Sequence, residues 1–190
     1  MQKGQVKIIG GQWRGKKLTF PALSGLRPTP NRVRETLFNW LAPRIHHTNC
    51  LDLFAGSGIL GFEALSRGAK SVSFVEQSPL LISYLNQQIN ALAIREQACV
   101  YRRMFPFNSK TIVNSEPAKF DIIFADPPFN KNLIPQVCDW LIKENLISAQ
   151  SLLYLEMEAT IKKIQLAENW QIMHWKTAGQ VTYTLINVTA

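Results

Sequence analysis

The most specific chemistry in this sequence lies in four consecutive residues, Asp126-Pro127-Pro128-Phe129. A proline nitrogen carries no hydrogen, so Pro127 and Pro128 offer only carbonyl acceptors. Asp126 adds a carboxylate. An exocyclic amine on a nucleobase has two N–H donors, which would meet the Asp126 side chain and a proline carbonyl. Phe129 adds a flat face on which the base can stack, worth ~1–3 kcal/mol. Such an amine is conjugated to its ring and is a poor nucleophile. Accepting its protons returns electron density to nitrogen and aims the lone pair at an electrophile, so positioning supplies much of the rate. Asp126, directly or through water, is the candidate acceptor of the released proton. The plain alternative is a strand-ending turn with an aromatic beside it.

A second pattern, Gly56-Ser57-Gly58-Ile59-Leu60-Gly61, matches G-x-G-x-x-G, with Glu76 twenty residues after Gly56. Glycines permit close backbone approach to a nucleotide, and an acid at that spacing accepts hydrogen bonds from a ribose diol. The motif alone does not separate NAD, FAD and S-adenosylmethionine. Asp52 helps, because it precedes the loop where a dinucleotide would place its pyrophosphate, and a carboxylate there repels phosphate. S-adenosylmethionine carries an ammonium and a sulfonium and no phosphate, so a fixed negative charge suits it. Asp52 as a turn or capping residue, and Glu76 as a solvated strand-end acid, are the plain alternatives.

Both motifs need strand ends to present them, and the hydrophobic pattern supplies these. Cys50–Phe54, Ser71–Glu76, Ala98–Tyr101, Phe120–Ala125 and Ser151–Met157 read as strands. Helices are expected over Ile59–Arg67, Ser78–Leu92 and Leu133–Ile142, with a broken helix over Met104–Ser115. Repeated βα units imply an α/β fold with a doubly wound, mostly parallel sheet, whose ligands bind at the carboxyl ends of the strands. Trp170–Lys176 and Val181–Val188 read as a C-terminal antiparallel hairpin around Ala178-Gly179-Gln180. An earlier helix follows Thr29 as N-cap and Pro30 at its first position, ending at Pro43.

The start of the chain reads differently. Val6–Ile9 and Gln12–Leu18 are β-type segments, and Gly10-Gly11 between them suggests the turn of a hairpin. Residues 1–34 hold Lys3, Lys7, Arg14, Lys16, Lys17, Arg27, Arg32 and Arg34 and no acid, while the other thirteen basic residues are balanced by all thirteen acids. The net charge of +8 therefore resides in this stretch. A neutral body with a basic arm is a footprint of nucleic-acid contact. The arm is not an amphipathic membrane helix, which argues against an acidic membrane surface; a solubility role is the plain alternative. Lys7, Arg14, Lys16, Lys17, Arg27, Arg32 and Arg34 are the candidate RNA-facing cations. Trp13 among them either stacks on a base or anchors the hairpin. The expected division is 1–27 as a basic β-hairpin arm and 28–190 as the body.

With 190 residues, 46% of them apolar, the chain can bury a core without staples. No apolar run reaches membrane-spanning length, and no secretory signal opens the chain, so a cytoplasmic protein is expected. Cys50, Cys99 and Cys138 form no C-x-x-C pair, and His46, His47 and His174 have no ligand spacing, so no metal site is expected.

Taken together these motifs resemble the class I S-adenosylmethionine-dependent methyltransferases, and Asp-Pro-Pro-Phe is like the group that methylates adenine N6 or guanine N2. The segments Ile8–Gly15, Arg27-Pro28-Thr29, Arg32–Leu41, Asp52–Gly58 and Ala178–Val181 more closely resemble the RsmD family. That resemblance implies a Rossmann-like fold and methylation of N2 of a guanine in 16S ribosomal RNA, guanine 966, in the small ribosomal subunit. A monomer is expected. The resemblance also implies that Asp52, Phe54, Gly56 and Gly58 meet the methionine part of the cofactor, that Glu76 holds its ribose, and that Asp126 to Phe129 hold the base; Ala55, Ser57 and Gln77 are further candidate cofactor-binding residues. Where a short polar residue is expected after the third strand, this chain has Arg102-Arg103-Met104-Phe105, so backbone groups of Met104 and Phe105 would meet the adenine. An adenine-N6 methyltransferase shares both motifs; a nicotinamide-dependent oxidoreductase shares only the glycine loop.

Overall fold

The computed structural model describes residues 3–23, 26, 28–112 and 119–188. The chain divides into two compact units, Met1–Met104 and Phe105–Ala190.

The first unit opens with a hairpin, β1 (Lys3–Lys7) and β2 (Lys17–Pro21), paired antiparallel with Val6 opposite Leu18 and Lys7 opposite Lys17. Side-chain alternation turns Val6, Leu18 and Phe20 inward and leaves Lys3, Lys7 and Lys17 exposed. Helix α1 (Asn31–Leu41) buries Val33, Leu37, Phe38 and Leu41, the apolar face its sequence spacing implies. Its start differs from expectation. Pro30 is the N-cap where Thr29 was expected, and the Pro30 carbonyl accepts the amides of Val33 and Arg34 at 3.0 Å.

Then come β3 (Asn49–Asp52), α2 (Ile59–Ser66), β4 (Ser71–Glu76), α3 (Pro79–Leu92) and β5 (Ala98–Arg102). Within this unit the strands run parallel in the order β5-β4-β3. Every residue of α2 is buried, so it has no polar stripe. It lies close against β4, because a Cβ on Gly61 would come within 2.3 Å of Phe74 and 2.8 Å of Val72. That is the close helix–strand approach the third glycine of the fingerprint allows.

The second unit holds β6 (Ile122–Ala125), α4 (Leu133–Lys143), β7 (Leu152–Glu158), β8 (Trp170–Ala178) and β9 (Val181–Val188). Its strand order is β6-β7-β9-β8, with β6 and β7 parallel and β9 antiparallel to both neighbours. The C-terminal hairpin thus forms as its turn residues suggest.

The expected broken helix over 104–115 is corrected. Its described part holds only a single 3₁₀ turn, Ser109–Thr111. Pro106 opposes a continuous helix, and the segment is held instead by the rings of Phe105 and Phe107 on Trp140, whose indole N–H donates to the Phe107 carbonyl at 2.7 Å.

Candidate functional site

The glycine loop is built entirely in the first unit. Strand β3 delivers Asp52 to its carboxyl end, and the chain turns through Gly56 and Gly58 at φ of 53° and 71°, conformations that favour glycine. Gly58 is the N-cap of α2 and has no side chain to satisfy the helix's first amides. Asp52, 4% exposed, does so from below, with Oδ2 accepting the Gly61 amide at 3.1 Å. Its carboxylate is thereby fixed beneath the loop. At the end of β4, Glu76 binds the loop from the other side. Its Oε2 accepts the Gly56 amide at 2.8 Å, and its Oε1 accepts the amides of Gln77 and Ser78 at 2.8 and 2.9 Å. A carboxylate has about four lone-pair sites, so three bonds leave room for one more donor.

Ala55 and Ser57 are buried, Phe54 is half-buried, and Gln77 is exposed. The loop's donors and acceptors suit a ligand with an ammonium and a ribose diol: two carboxylates flank it, and a Cβ at Gly56 would stand 3.0 Å from the Leu26 side chain and 3.8 Å from the Phe54 carbonyl oxygen. Met104 is 72% exposed and Phe105 half-buried.

The acceptor motif is built in the second unit. β6 is buried along its length and ends at Ala125, so Asp126 stands where its strand stops. Asp126 is half-buried, Pro127 buried and Pro128 exposed; the Phe129 ring is 37% exposed. An aromatic of that exposure beside a carboxylate is available for stacking. The Asn130 amide, at φ 61°, donates to Oε1 of Glu158 at the end of β7 and pins the loop after Phe129. Nearby Tyr154 donates its hydroxyl to Glu156 Oε1 at 2.9 Å. Burial, then the negative charge of Glu156, hold the Tyr154 hydroxyl well above the ordinary tyrosine range, so it remains a donor.

The basic residues of the chain's start do not all face outward. Lys7, Arg14, Lys16, Lys17 and Arg32 are exposed and Trp13 is half-buried; Arg27 lies outside the described residues. Arg34 is corrected. It is fully buried, with its guanidinium donating to Glu63 Oε2 and the Lys7 carbonyl at 2.9 Å, to the Thr29 carbonyl at 3.2 Å and to Asn31 at 2.6 Å. Burial lowers its affinity for a proton, and the Glu63 charge opposes that shift. With its donors spent inside the protein, Arg34 has no place on an RNA-facing surface.

Gly10-Gly11 also has another role than a two-residue turn. The ladder continues past the strands, through the Ile8 amide to the Lys16 carbonyl, and residues between them form a broad loop seated on the end of α2. The Gln12 amide donates to the Ser66 carbonyl at 2.8 Å, the Trp13 amide to Ser66 Oγ at 3.0 Å and the Ile9 amide to Glu63 at 3.0 Å. A Cβ on Gly11 would stand 1.8 Å from the Ser66 carbonyl oxygen. Glu63 and Ser66, which anchor this loop, gave no sequence signal beyond a single acid inside an apolar helix.

Parallel β/α units with a glycine loop after β3 and Asp-Pro-Pro-Phe after β6, closed by an antiparallel C-terminal hairpin, define the class I methyltransferase fold. Solved structures agree. A protein from Escherichia coli provisionally described as a methyltransferase superposes with a TM-score of 0.85 at 40% identity, covering 98% of this chain and 99% of that one. A provisionally described methylase from Haemophilus influenzae gives 0.83 at 40% identity, covering 98% and 100%. Among curated proteins, "Ribosomal RNA small subunit methyltransferase D" of Haemophilus influenzae is 43% identical over 183 residues, 96% of this chain and 94% of that protein. The Escherichia coli protein of the same description is 40% identical over 182 residues, 96% and 89%. The family model described as "Conserved hypothetical protein 95" matches residues 6–187. The chain belongs to this family, which the sequence motifs had suggested as RsmD.

Among the described residues, no group of histidine, cysteine, aspartate or glutamate could hold a metal ion, and no helix is long and apolar enough to cross a membrane.

Proposed function

We propose that this protein transfers a methyl group from S-adenosylmethionine to the exocyclic N2 of a guanine in 16S ribosomal RNA, guanine 966 by resemblance, in the cytoplasm during small-subunit maturation. The observation that carries the reading is the outward-facing Phe129 beside Asp126 at a strand end, with two prolines between them that offer only acceptors.

The chain's own residues divide the work. Asp52 and the loop Phe54–Gly58 are assigned to the methionine end of the cofactor, Glu76 and Gln77 to its ribose, and backbone groups of Met104 and Phe105 to its adenine. When bound, the cofactor supplies an electrophilic methyl on a sulfonium. Asp126 and a proline carbonyl accept the amine protons of the target, and Phe129 stacks on its ring. These contacts hold the nitrogen lone pair in line and restore its basicity. The new N–C bond would form as the bond from methyl to sulfur breaks, its electron pair leaving with a neutral thioether, and one proton would pass from the nitrogen to Asp126 or to a water beside it. A guanine paired and stacked in a helix cannot present its amine in this way, so the target must be accessible or splayed out.

The basic surface of residues 1–27 is assigned to the RNA. Lys7 and Lys17 are direct cross-strand partners on the exposed face of the hairpin. Like charges placed opposite one another destabilise a bare hairpin, and a phosphate between them removes that repulsion.

The deciding experiment supplies labelled S-adenosylmethionine with unmodified small subunits or free 16S RNA and identifies the methylated nucleoside. N2-methylguanosine is expected, and N6-methyladenosine would transfer the protein to the adenine class. Asp126→Ala should lower transfer by at least ~10²-fold while cofactor affinity measured by calorimetry stays within a factor of about two. A fully active variant removes Asp126 from the reaction.

A further inference from the structure

Beside the acceptor motif the second unit holds a cavity of about 330 Å³. Pro127 and Phe129 form part of its wall, and Glu156, Glu158, Lys163 and Gln165 bring polar groups to it. None of these last four is needed to hold an amine, since Asp126 and the prolines already do that. The volume lies at the small end of ligand-pocket sizes, which suits one nucleobase. Glu158 is half-buried at the end of β7, and its Oε1 accepts the Asn130 amide. Its other oxygen, Oε2, takes no partner among the described residues.

A base whose amine is held by Asp126 and whose ring lies on Phe129 must turn the rest of its Watson–Crick edge toward neighbouring groups. In guanine that edge places N1–H, a donor, beside the N2 amine, and O6, an acceptor, beyond it. In adenine the ring nitrogen between the amine and C2 is an acceptor. An ionised carboxylate accepts only, so it welcomes guanine N1–H and opposes a ring nitrogen lone pair. Lysine and glutamine side chains both donate, and both suit O6.

We propose that this cavity is the specificity pocket for the target guanine, with Glu158 Oε2 accepting guanine N1–H and Lys163 and Gln165 supplying donors to O6. The proposal rests on the guanine-N2 reading above and names what selects the base within it. Glu158 has two tasks. One oxygen fixes the loop that carries Phe129, and the other reads the base.

2-Aminopurine separates these tasks, because it keeps the exocyclic amine at C2 but has a bare N1 and no O6. The methylated guanine is first mapped in subunits treated with wild-type enzyme. Subunits are then rebuilt with guanine or 2-aminopurine at that position, and kcat/KM is measured for each. Wild-type enzyme should prefer guanine by roughly tenfold to a hundredfold. Glu158→Gln retains an amide oxygen for Asn130 but can present N–H instead of a carboxylate oxygen to the pocket. It should lose most of its rate on guanine and less on 2-aminopurine, so the preference falls by about tenfold or more. Cofactor affinity, read by calorimetry, should not change. An unchanged preference in Glu158→Gln, or loss of rate on both bases by one factor, overturns the reader role while leaving the guanine-N2 reading intact. A wild-type enzyme that methylates no guanine overturns both.

Discussion

Arg34 shows how far a residue's type can mislead without its neighbours. Its position in a basic run suggests a cation for RNA. Its partner, Glu63, stands 29 residues away inside a helix whose other residues are apolar or small. Both side chains are fully buried, and Arg67 closes the other side of the same carboxylate at 2.9 Å. Breaking one member of a buried pair leaves charge and backbone carbonyls without partners, a larger loss than the intact pair is worth. Arg34→Met should therefore destabilise the fold by ~3 kcal/mol, measured as a drop in the urea midpoint at unchanged slope. A loss below about 0.5 kcal/mol would mean that the guanidinium contributes little to holding α1, α2 and the hairpin together. No reading of one sequence would have paired these two residues, because their contact is a product of tertiary packing. Asp126 and Glu76 were legible for the opposite reason. Each closes a strand whose pattern is local, so its place at a sheet edge follows from its neighbours along the chain.

At the level of elements, most strands and helices formed where periodicity put them, β4 and β9 at the expected bounds. Segments ruled by contact with another element were not legible in the same way. Gly10-Gly11 reads as a turn because paired glycines usually are one. Here Gly11, at φ 73°, lets the loop rest on the Ser66 carbonyl. Gly11→Ala should lift the loop from α2, weakening RNA binding by tenfold or more while cofactor affinity remains, as filter binding and calorimetry would show. Gly15 is the contrast within the same loop. Its φ of 90° strains any side chain, but a Cβ there meets nothing within 4 Å. Gly15→Ala should thus cost only the ~1 kcal/mol of backbone strain. Equal losses of RNA affinity in both variants would refute the seating of the loop as the cause. The acids of β7 carry no signal in the sequence, because Leu-Glu-Met-Glu reads as ordinary strand alternation; the cavity beside them exists only once Asn132–Pro135 and Ile161, Lys163, Ile164 and Gln165 are brought against it by the fold.

For the molecule as a whole, charge is the property that sequence and structure divide between them. The excess of +8 belongs to the first 34 residues, and one of those eight cations is consumed inside the fold. Among the others, Arg14, Lys16 and Lys17 are exposed together in the loop and second strand of the hairpin. Neutralising all three should flatten the dependence of log binding constant on log salt by ~0.7–0.9 for each phosphate contact removed. Binding titrations of 16S RNA across several salt concentrations measure it. An unchanged slope would return the hairpin's charge to a role in solubility.

Helix α2 has eight residues, a rod of about 12 Å. One tip carries Gly58 and the amide held by Asp52; the other carries Ser66, on which the hairpin loop sits. So short a rod has no room to bend. The spacing between the glycine loop and the basic loop is thereby set by a single short gauge built into the fold.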